Sequence, residues 1–264
     1  DEALREVAAN YTREPGVRQF ERLLAKALRK AATNLASGKS TAPVTIDEPD
    51  LRDYLGRARF TPESAERTAV PGVATGLAVT GMGGDVLFIE ANRTDAGQGK
   101  GGLHLTGQLG DVMKESAQIA LSYVRAHAAQ LGIDPRNLDG TIHVHVPAGA
   151  VPKDGPSAGI TMVTALASMA TGRKVRAEVG MTGEVTLNGR VLPIGGLKQK
   201  LLAAQRNGLT QVFISPRNEA DLDDVPAEVL DAVTVTPFAD VADVVAAALE
   251  PAAEVTAETV NTAA

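Results

Sequence analysis

The sequence predicts an α+β protein in which a mixed-sheet domain is preceded by a small helical subdomain. Helical and strand patterns are interleaved over most of the chain without the strict alternation of an all-parallel α/β fold. The first 60 residues carry helical patterns and many basic side chains. Residues 61–71 are polar with two prolines, which is typical of a linker. We therefore expect a helical subdomain over 1–60, a linker over 61–71 and the main domain over 72–250.

The helical subdomain is predicted from one amphipathic segment and one capped segment. Apolar side chains recur every three or four residues in the first segment, as an α-helix requires: Val17, Phe20, Leu24, Leu28 and Ala31. A short strand over 44–46 follows a flexible stretch. A further helix runs from Asp47, a favourable N-cap residue, toward Gly56.

The main domain is predicted to mix strands and helices. In chain order, we expect strands near 74–80 and 85–92, a helix over 111–131, a strand over 141–146, a helix from 157, a strand over 177–181, a hairpin around Asn188-Gly189, a helix over 197–207 and a strand over 211–215. The Asn-Gly pair is a strong signal for a two-residue hairpin loop. The last residues, 251–264, are small and polar, which predicts disorder.

Composition narrows the class of protein. The 264 residues carry a formal charge of -6 with a pI near 5.3, which argues against a nucleic-acid grip over the whole surface. The sequence has no cysteine, so thiol enzymes, disulfide scaffolds and cysteine-ligated zinc sites are excluded. No apolar run approaches the length of a membrane span and no signal segment opens the chain, so we expect a cytoplasmic protein without membrane contact.

The four histidines leave alternatives open. A Ser/His/Asp triad needs only one of them. His143 and His145 alternate with Val144 and Val146, so they share one face of a strand whose valines turn toward the core. The pair could also ligate a metal, but two histidines without a third ligand at suitable spacing are a weak signal. We favour a structural role for them and expect no metal.

One serine stands in a setting that suits catalysis. Ser157 follows a Gly-Pro break in the segment Pro-Lys-Asp-Gly-Pro-Ser-Ala-Gly over 152–159, and a weakly polar run ended by Gly172 comes next. We expect a helix that begins at Ser157. One stripe of hydroxyls would line it: Ser157, Thr161, Thr164 and Ser168. Helix-start N–H groups would suit an oxyanion beside the attacking oxygen, whereas the common role of such a serine is only to cap the helix.

A base for that serine is offered by the segment Gly-Gly-Leu-Lys-Gln-Lys over 195–200, which opens a helix ended by Gly208. A serine hydroxyl is a poor nucleophile until a neighbouring base, such as a histidine or a neutral lysine, takes its proton. The ordinary lysine pKa of about 10.4 must then be lowered by burial. Lys198 and Lys200 lie about 200° apart around the helix, so at most one faces the serine. The spacing does not choose between them, although the arc of leucines marginally favours Lys198.

These segments carry a family resemblance. Together with residues 75–78, 105–107, 143–147, 181–184 and 192–204, they resemble the proteolytic domain of Lon, the ATP-dependent serine protease, over about 70–250. The first part of the chain, including Tyr-Thr-Arg-Glu-Pro-Gly-Val-Arg over 11–18, resembles the end of the small helical subdomain of Lon's ATPase module. Because the chain begins at Asp1, within a helical pattern, we expect it to be a fragment of a longer protein.

The resemblance implies a Ser/Lys dyad, with Ser157 as the nucleophile and Lys200 as the general base. It also implies that Thr182 hydrogen-bonds near the lysine and helps to hold it. Asp154 would lie in a loop that shapes or blocks the site, and Glu184 would lie just behind the reacting groups.

Several other positions bear on this resemblance. Many relatives carry an aromatic residue where Val79 stands, and often an acid where Ala148 stands, so we expect different substrate contacts and a different setting of the loop. In the full-length protein, Arg18 would sense the phosphates of the nucleotide. The glycine-rich stretch 97–102 lacks the first glycine and the Ser/Thr of a phosphate-binding loop, so it predicts a hairpin loop and no ATP binding here.

The resemblance implies an endopeptidase that cleaves unfolded or damaged proteins through an acyl-enzyme. Peptide hydrolysis would need no cofactor, and ATP and Mg²⁺ would serve only the full-length protein. Lon assemblies are usually hexameric, so we expect a homo-oligomer. Two other interpretations stay open: a catalytically silent Lon-like domain for assembly or nucleic-acid binding, and an amidase or esterase with the same dyad. The presence of both Ser157 and Lys200 favours the peptidase.

Overall fold

The computed structural model describes residues 1–12, 14, 16–60, 68–94, 102–147 and 151–251. The chain divides into two compact units, Asp1–Glu63 with Val79–Gly83 and Ser64–Ala78 with Gly84–Ala264. Most of the predicted linker (61–71), of the glycine-rich stretch (97–102) and of the predicted disordered tail (251–264) lies outside the described residues, as does Ala148. The predicted domain boundaries therefore stay a prediction.

The first unit is helical. Its elements are α1 (Glu2–Glu6), a π-helical turn (Val7–Tyr11), α2 (Arg18–Ala36), a 3-10 turn (Glu48–Asp50) and α3 (Leu51–Leu55). The 3-10 turn begins with a capping box, in which Asp50 Oδ2 accepts a hydrogen bond from the Asp47 N–H at 2.9 Å. The helices share a small core: Val7, Tyr11, Ala27, Leu51 and Leu55.

Two details of the predicted helical part are wrong. Residues 44–46 form no strand, since a strand needs a partner for its backbone groups and no described residue pairs with them. Helix α2 is present, but Val17 and Leu28 of its predicted apolar face are 62% and 66% exposed. The predicted Ala31 is buried together with Ala27, which the prediction did not include, and the predicted Phe20 and Leu24 are half-buried.

Two lysines of α2 donate hydrogen bonds to carbonyl groups at the end of α3. Lys26 Nζ donates to the Leu55 carbonyl at 3.0 Å, and Lys30 Nζ donates to the Asp53 carbonyl. Carbonyl groups in the last turn of a helix lack intrahelical partners and carry partial negative charge, so cations stabilise them. The two ammonium groups are therefore engaged within this unit.

The second unit is built on a seven-stranded sheet in the order β3-β4-β2-β1-β5-β8-β9. The strands are β1 (Val73–Thr80), β2 (Gly83–Thr94), β3 (Leu103–Thr106), β4 (Thr141–His145), β5 (Val179–Met181), β8 (Gln211–Ile214) and β9 (Thr234–Pro237), and a separate hairpin pairs β6 (Glu184–Val185) with β7 (Val191–Leu192). The β2–β4 pair is antiparallel, whereas β3–β4, β1–β5, β5–β8 and β8–β9 are parallel. This mixed sheet confirms the predicted α+β class.

Helices cover both faces of that sheet. They are α4 (Asp111–Ala126), α5 (Gly159–Thr171), α6 (Leu197–Arg206), α7 (Ala227–Ala232) and α8 (Val241–Ala248), with 3-10 turns at Pro135–Leu138 and Pro216–Asp224. Phe213 packs in a core with α4, α5 and α8, whereas its neighbours Val212 and Ile214 pack in a second core with α6 and α7. Side chains of a strand alternate between faces, which explains the two cores. None of the helices in the described part of the chain is long and apolar enough to cross a membrane.

Most predicted elements of the second unit are present with shifted ends. The helix predicted over 111–131 ends at Ala126, because His127 leaves helical geometry and the chain turns toward Gly132, which has φ +67°. The strand predicted over 177–181 begins only at Val179. The strand implied after the hairpin loop predicted at 97–102 is β3, but it lies beside β4 and not beside β2, so the hairpin pairing is wrong. Three elements have no counterpart in the prediction: β9, α7 and α8. Each has at most eight residues, too few for its periodicity to stand out in the sequence.

The hairpin predicted at Asn188-Gly189 forms, but with a three-residue loop. Thr186 closes it, since its N–H donates to the Arg190 carbonyl at 3.1 Å and its carbonyl accepts from the Gly189 N–H at 2.9 Å. Gly189 has φ +83°, in the left-handed region, and a Cβ there would lie 2.6 Å from the Tyr123 ring. A glycine in this conformation closes a three-residue hairpin loop, which is why the Asn-Gly signal located the turn but not its length.

Candidate active site

The serine segment folds as a turn that leads into α5. Ser157 lies two residues before Gly159, the first residue of the helix, and Ala158 is the N-cap. Gly155 adopts φ +118°, and the Gly159 N–H donates to the Pro156 carbonyl at 3.1 Å. The helix therefore begins just after Ser157 rather than at it, because this turn occupies the residues around the serine.

Backbone hydrogen bonds hold this turn against the segment that follows β5. The Gly183 N–H donates to the Ser157 carbonyl at 2.9 Å, and the Gly183 carbonyl accepts from the Ile160 N–H at 3.1 Å. The approach is close, because a Cβ on Gly159 would lie 2.8 Å from the Val185 nitrogen. These bonds use the backbone of Ser157 and not its hydroxyl.

The hydroxyl stripe predicted on α5 is present. Thr161, Thr164 and Ser168 are fully buried, whereas Ser157 at the head of the stripe is half-buried. Thr164 and Ser168 form hydrogen bonds with backbone atoms. Within the described residues, Thr161 Oγ1 has no hydrogen-bond partner. Of the four hydroxyl groups, that of Ser157 is the one that a substrate can reach.

Lys200 is a buried lysine on α6. It is 2% exposed, whereas Lys198 is exposed. Lys200 Nζ donates to Thr182 Oγ1 at 2.9 Å. The helix lies close against β2 because Gly84 has no side chain, and a Cβ there would lie 1.9 Å from the Gln199 carbonyl oxygen. Tertiary packing therefore distinguishes the two lysines that helical spacing left equivalent.

Burial lowers the pKa of Lys200 from its ordinary value of 10.5 to about 8. The cause is desolvation, which disfavours the charged ammonium relative to the neutral amine. The hydrogen-bond partner, Thr182, is a neutral hydroxyl and supplies no compensating negative charge. About half of the molecules then carry a neutral amine near pH 8, which is the form able to accept a proton.

Thr182 connects the lysine with the serine turn. Its buried hydroxyl accepts from Lys200 Nζ and donates to the Ser157 carbonyl at 3.3 Å. Its backbone N–H donates to the Phe213 carbonyl of β8 at 3.0 Å. No hydrogen bond joins Ser157 Oγ directly to Lys200 Nζ in the described part of the chain. The structure thus brings Ser157, Thr182 and Lys200 together, with the threonine hydroxyl between the other two.

Asp154 holds the serine loop to the start of α4. Its Oδ1 accepts from the Met113 N–H at 3.0 Å and from the Gly155 N–H at 2.9 Å. The first N–H groups of a helix lack intrahelical partners, and the N-cap of α4, Gly110, has no side chain to supply one. A Cβ on Gly110 would also lie 2.2 Å from the Asp154 carboxyl carbon. The Asp154 carboxylate therefore ties the serine loop to the first turn of α4.

Two other predicted residues lie apart from these contacts. Glu184 is half-buried in β6, opposite Leu192. Arg18 is the exposed first residue of α2, in the helical unit. Across the described ranges, neither side chain takes part in a hydrogen bond or an ion pair. The roles assigned to both residues stay predictions.

The histidines of the sheet form a separate polar cluster. His143 and His145 lie on one face of β4, with Val144 buried on the other. His104 stacks on His143 with 4.6 Å between ring centroids, and the Thr106 hydroxyl lies 2.8 Å from His143 Nε2 and 2.7 Å from His145 Nδ1. The described residues contain no group of three or more His, Cys, Asp or Glu that could hold a metal. These contacts support the structural role.

Asn218 forms hydrogen bonds with Ile194, in the segment between β7 and α6. No sequence motif marks Asn218 as a functional residue. Its side chain is 2% exposed. Asn218 Oδ1 accepts from the Ile194 N–H at 3.0 Å, and Nδ2 donates to the Ile194 carbonyl at 2.8 Å. The fully buried Ser215 donates to the Val191 carbonyl at 3.0 Å. Both bonds span 24 residues, so local sequence patterns carry no signal for them.

Two protein-family models match the chain. Residues 45–251 match the Lon protease (S16) C-terminal proteolytic domain. Residues 1–44 match the Lon protease AAA+ ATPase lid domain.

Individual relatives are similar over nearly the whole chain. The Lon protease of Mycolicibacterium smegmatis is 78% identical over 252 residues, which cover 96% of this chain and 32% of that protein. The Lon protease of Salinispora arenicola is 67% identical over 253 residues, 96% of this chain and 32% of that protein. The Lon protease of Chloroflexus aurantiacus is 51% identical over 260 residues, 97% of this chain and 31% of that protein. The chain spans about a third of the length of these relatives.

Proposed function

The chain belongs to the Lon protease family, and from that premise we propose that it is a serine endopeptidase in which Ser157 is the nucleophile and Lys200 the general base. The observation that carries the proposal is a buried lysine, its pKa lowered to about 8, whose Nζ lies 2.9 Å from a hydroxyl that also bonds the serine turn. A buried amine of this kind can activate a serine near neutral pH. The substrates proposed are unfolded or damaged polypeptides.

The proposed reaction follows the chemistry of acyl transfer. Neutral Lys200 takes the Ser157 proton as Oγ attacks a peptide carbonyl carbon, whose oxygen becomes an oxyanion. The carbon–nitrogen bond then breaks, and the leaving amine takes the proton from the Lys200 ammonium. Water hydrolyses the resulting ester by the same steps, with Lys200 as base and then acid. Thr182 serves by holding the amine beside the serine turn.

Backbone N–H groups at the start of α5 are proposed to bind the oxyanion. Among the described residues, the N–H groups of Ser157 and Ala158 donate to no hydrogen bond. They stand at the positive end of the helix dipole, which favours a developing negative charge. This geometry supports acyl transfer over a role for Ser157 as a simple cap.

A catalytically silent domain for assembly or nucleic-acid binding is the alternative. Lowering the pKa of Lys200 to about 8 by burial costs roughly 3 kcal/mol near neutral pH, and a scaffold gains nothing from it. The formal charge of -6 also disfavours a polyanion as the partner. An amidase or esterase would use the same residues and differ only in its substrate.

Covalent labelling tests the proposal. A fluorophosphonate should be attacked at phosphorus by Ser157 Oγ, with loss of fluoride and of the serine proton, and mass spectrometry should find the adduct at Ser157. The Ser157→Ala variant should remain unlabelled. A chain that is not labelled, but binds DNA with an affinity that falls as salt rises, would instead establish the alternative.

Hydrolysis is expected to increase with pH through about 8. Lys200 accepts the serine proton only as a neutral amine, and with a pKa of about 8 its neutral fraction rises about tenfold per pH unit below that value. The measurement is kcat/KM for an unstructured fluorogenic peptide between pH 6 and 10, which should rise and then level off. A profile that is flat over this range would contradict Lys200 as the base.

Cofactors and assembly follow from the same premise. We propose that peptide hydrolysis needs no cofactor and that ATP with Mg²⁺ acts in the full-length protein, as a cytoplasmic homohexamer. The exposed Arg18 at the start of α2 is the residue of this chain proposed to contact the nucleotide's phosphates there.

A further inference from the structure

We propose that Asn218 is a positioning residue for the base, through its grip on Ile194 in the connection that leads into α6. The inference rests on the proposed role of Lys200. Asn218 follows β8, within the 3-10 turn Pro216–Asp224, and reaches a segment 24 residues earlier in the chain.

The buried Asn218 side chain bonds to both backbone groups of Ile194. The single amide of Asn218 satisfies both the N–H and the C=O of Ile194, at 3.0 and 2.8 Å, as a neighbouring strand would. Nδ2 also donates to Asp221 Oδ2 at 2.6 Å, which fixes the orientation of the amide. Ser215 adds a third bond, from its hydroxyl to the Val191 carbonyl at 3.0 Å.

The segment around Ile194, residues 193–196, is mostly exposed. Pro193, Gly195 and Gly196 are exposed, and Gly196 has φ +72°. Glycines have wide conformational freedom, so this connection would otherwise be loose. Lys200 stands one turn inside the helix that starts there, and its N–H bonds to the Gly196 carbonyl at 3.1 Å. A shift of the connection is therefore passed directly to the lysine.

The same strand fixes the partner of the lysine. The Thr182 N–H bonds to the Phe213 carbonyl of β8, and Asn218 follows that strand by a few residues. The end of β8 and the turn after it therefore position both the Thr182 hydroxyl and the start of the helix that carries Lys200. Catalysis needs the amine placed to well under 1 Å. Because the same part of the chain positions both groups, their separation is held constant.

The apolar face of α6 makes this role separable from folding. Leu197, Leu201 and Ala204 are buried in the second core and would keep the helix docked without Asn218. We therefore expect Asn218→Ala to lower kcat for an unstructured fluorogenic peptide by about tenfold to a hundredfold, with KM changed by less than about twofold. The pH midpoint of kcat/KM should also rise, because a less firmly buried lysine regains water.

Asn137→Ala is the control for loss of an asparagine that bonds to a backbone carbonyl. Asn137 donates from Nδ2 to the Ala170 carbonyl at 2.8 Å, near the end of α5 rather than the start of α6, and it is exposed. Asn218→Ala should unfold at the lower temperature of the two, because it leaves both Ile194 groups unpaired, but both variants should be folded at the assay temperature and only Asn218→Ala should lose kcat. Equal kcat losses in the two variants, or an unchanged kcat in Asn218→Ala, would overturn the inference.

A double variant that exchanges the side chains of Asn218 and Asp221 tests which of the two Asn218 contacts matters, the one to Ile194 or the one to Asp221. Asn218→Asp with Asp221→Asn restores an amide–carboxylate contact but leaves the Ile194 carbonyl without its donor. Activity should stay low in this double variant, and full recovery would show that only the Asp221 contact matters. Lys200→Met is measured alongside: if it remains active the proposed function itself fails, whereas an inactive Lys200→Met with a fully active Asn218→Ala defeats only the positioning role.

Discussion

Replacing Ser157 with alanine is expected to lower kcat/KM for an unstructured fluorogenic peptide by about 10⁴-fold or more, the order of loss that follows removal of a catalytic nucleophile. The variant should fold normally. The hydrogen bonds that Ser157 makes to Thr182 and Gly183 both use its backbone carbonyl, which alanine retains.

Ser122→Ala is the control for this substitution. Ser122 lies on α4 and is exposed, and its hydroxyl bonds to the Gln118 carbonyl at 2.8 Å. Its loss should leave the rate within about twofold, because surface substitutions rarely affect more than local stability. If Ser157→Ala retained more than a tenth of the activity while folding normally, another nucleophile would be required.

Replacing Lys200 with methionine is expected to abolish hydrolysis and, at the same time, to stabilise the fold. Methionine has nearly the same length and cannot accept the serine proton, so the rate should fall by about 10³-fold or more. The pKa of Lys200 is about 8 in the folded chain and near 10.5 when exposed, which corresponds to roughly 3 kcal/mol of destabilisation at pH 7. Loss of the hydrogen bond to Thr182 offsets about 1 kcal/mol of the gain.

The pH dependence of that stabilisation has a definite sign. Below pH 8 both states of the wild-type chain are protonated, so the folded state bears the whole desolvation cost. Between pH 8 and about 10.5 the folded state releases the proton and the unfolded state keeps it, so the cost disappears. Urea unfolding at pH 7 should therefore show Lys200→Met to be more stable by roughly 2 kcal/mol. The difference should shrink above pH 8 and change sign near about pH 10, because the lost hydrogen bond to Thr182 still counts once the desolvation cost has gone.

Lys198→Met is the matched control for both effects. Lys198 lies on the same helix two residues earlier but is exposed. It should change neither the rate by more than about twofold nor the free energy of unfolding by more than about 0.5 kcal/mol. Equal effects of the two substitutions, or a Lys200→Met variant that is less stable at pH 7, would show that the buried-base description is wrong.

Much of the fold could be predicted because its signals are local. The alternation of His143 and His145 with valines marks β4, and the Asn188-Gly189 pair marks the β6–β7 hairpin. Where the prediction failed, a long-range partner decided the outcome. Residues 44–46 have strand-like composition but pair with no strand in the ranges that the structure describes, whereas β9 is short but has β8 to pair with.

The candidate site shows the same difference between local signals and long-range contacts. Sequence alone placed Ser157 at a helix start with a hydroxyl stripe behind it, and it offered two lysines on a second helix. Those are properties of neighbours in the chain, set by helical period and by the glycines and proline around the turns. The family resemblance then named Lys200, but no local pattern distinguishes it from Lys198.

Only the tertiary structure distinguished them physically. The bond of Lys200 to Thr182 and the bond of Asn218 to Ile194 join residues 18 and 24 positions apart, and the packing of α6 on the sheet joins the still more distant Gly84 and Gln199. Desolvation exists only once those segments pack, because a lysine loses its water through what surrounds it in space and not through its neighbours in sequence. The sequence by itself therefore determined which residues could react, and packing decided which amine has its pKa lowered enough to do so near neutral pH.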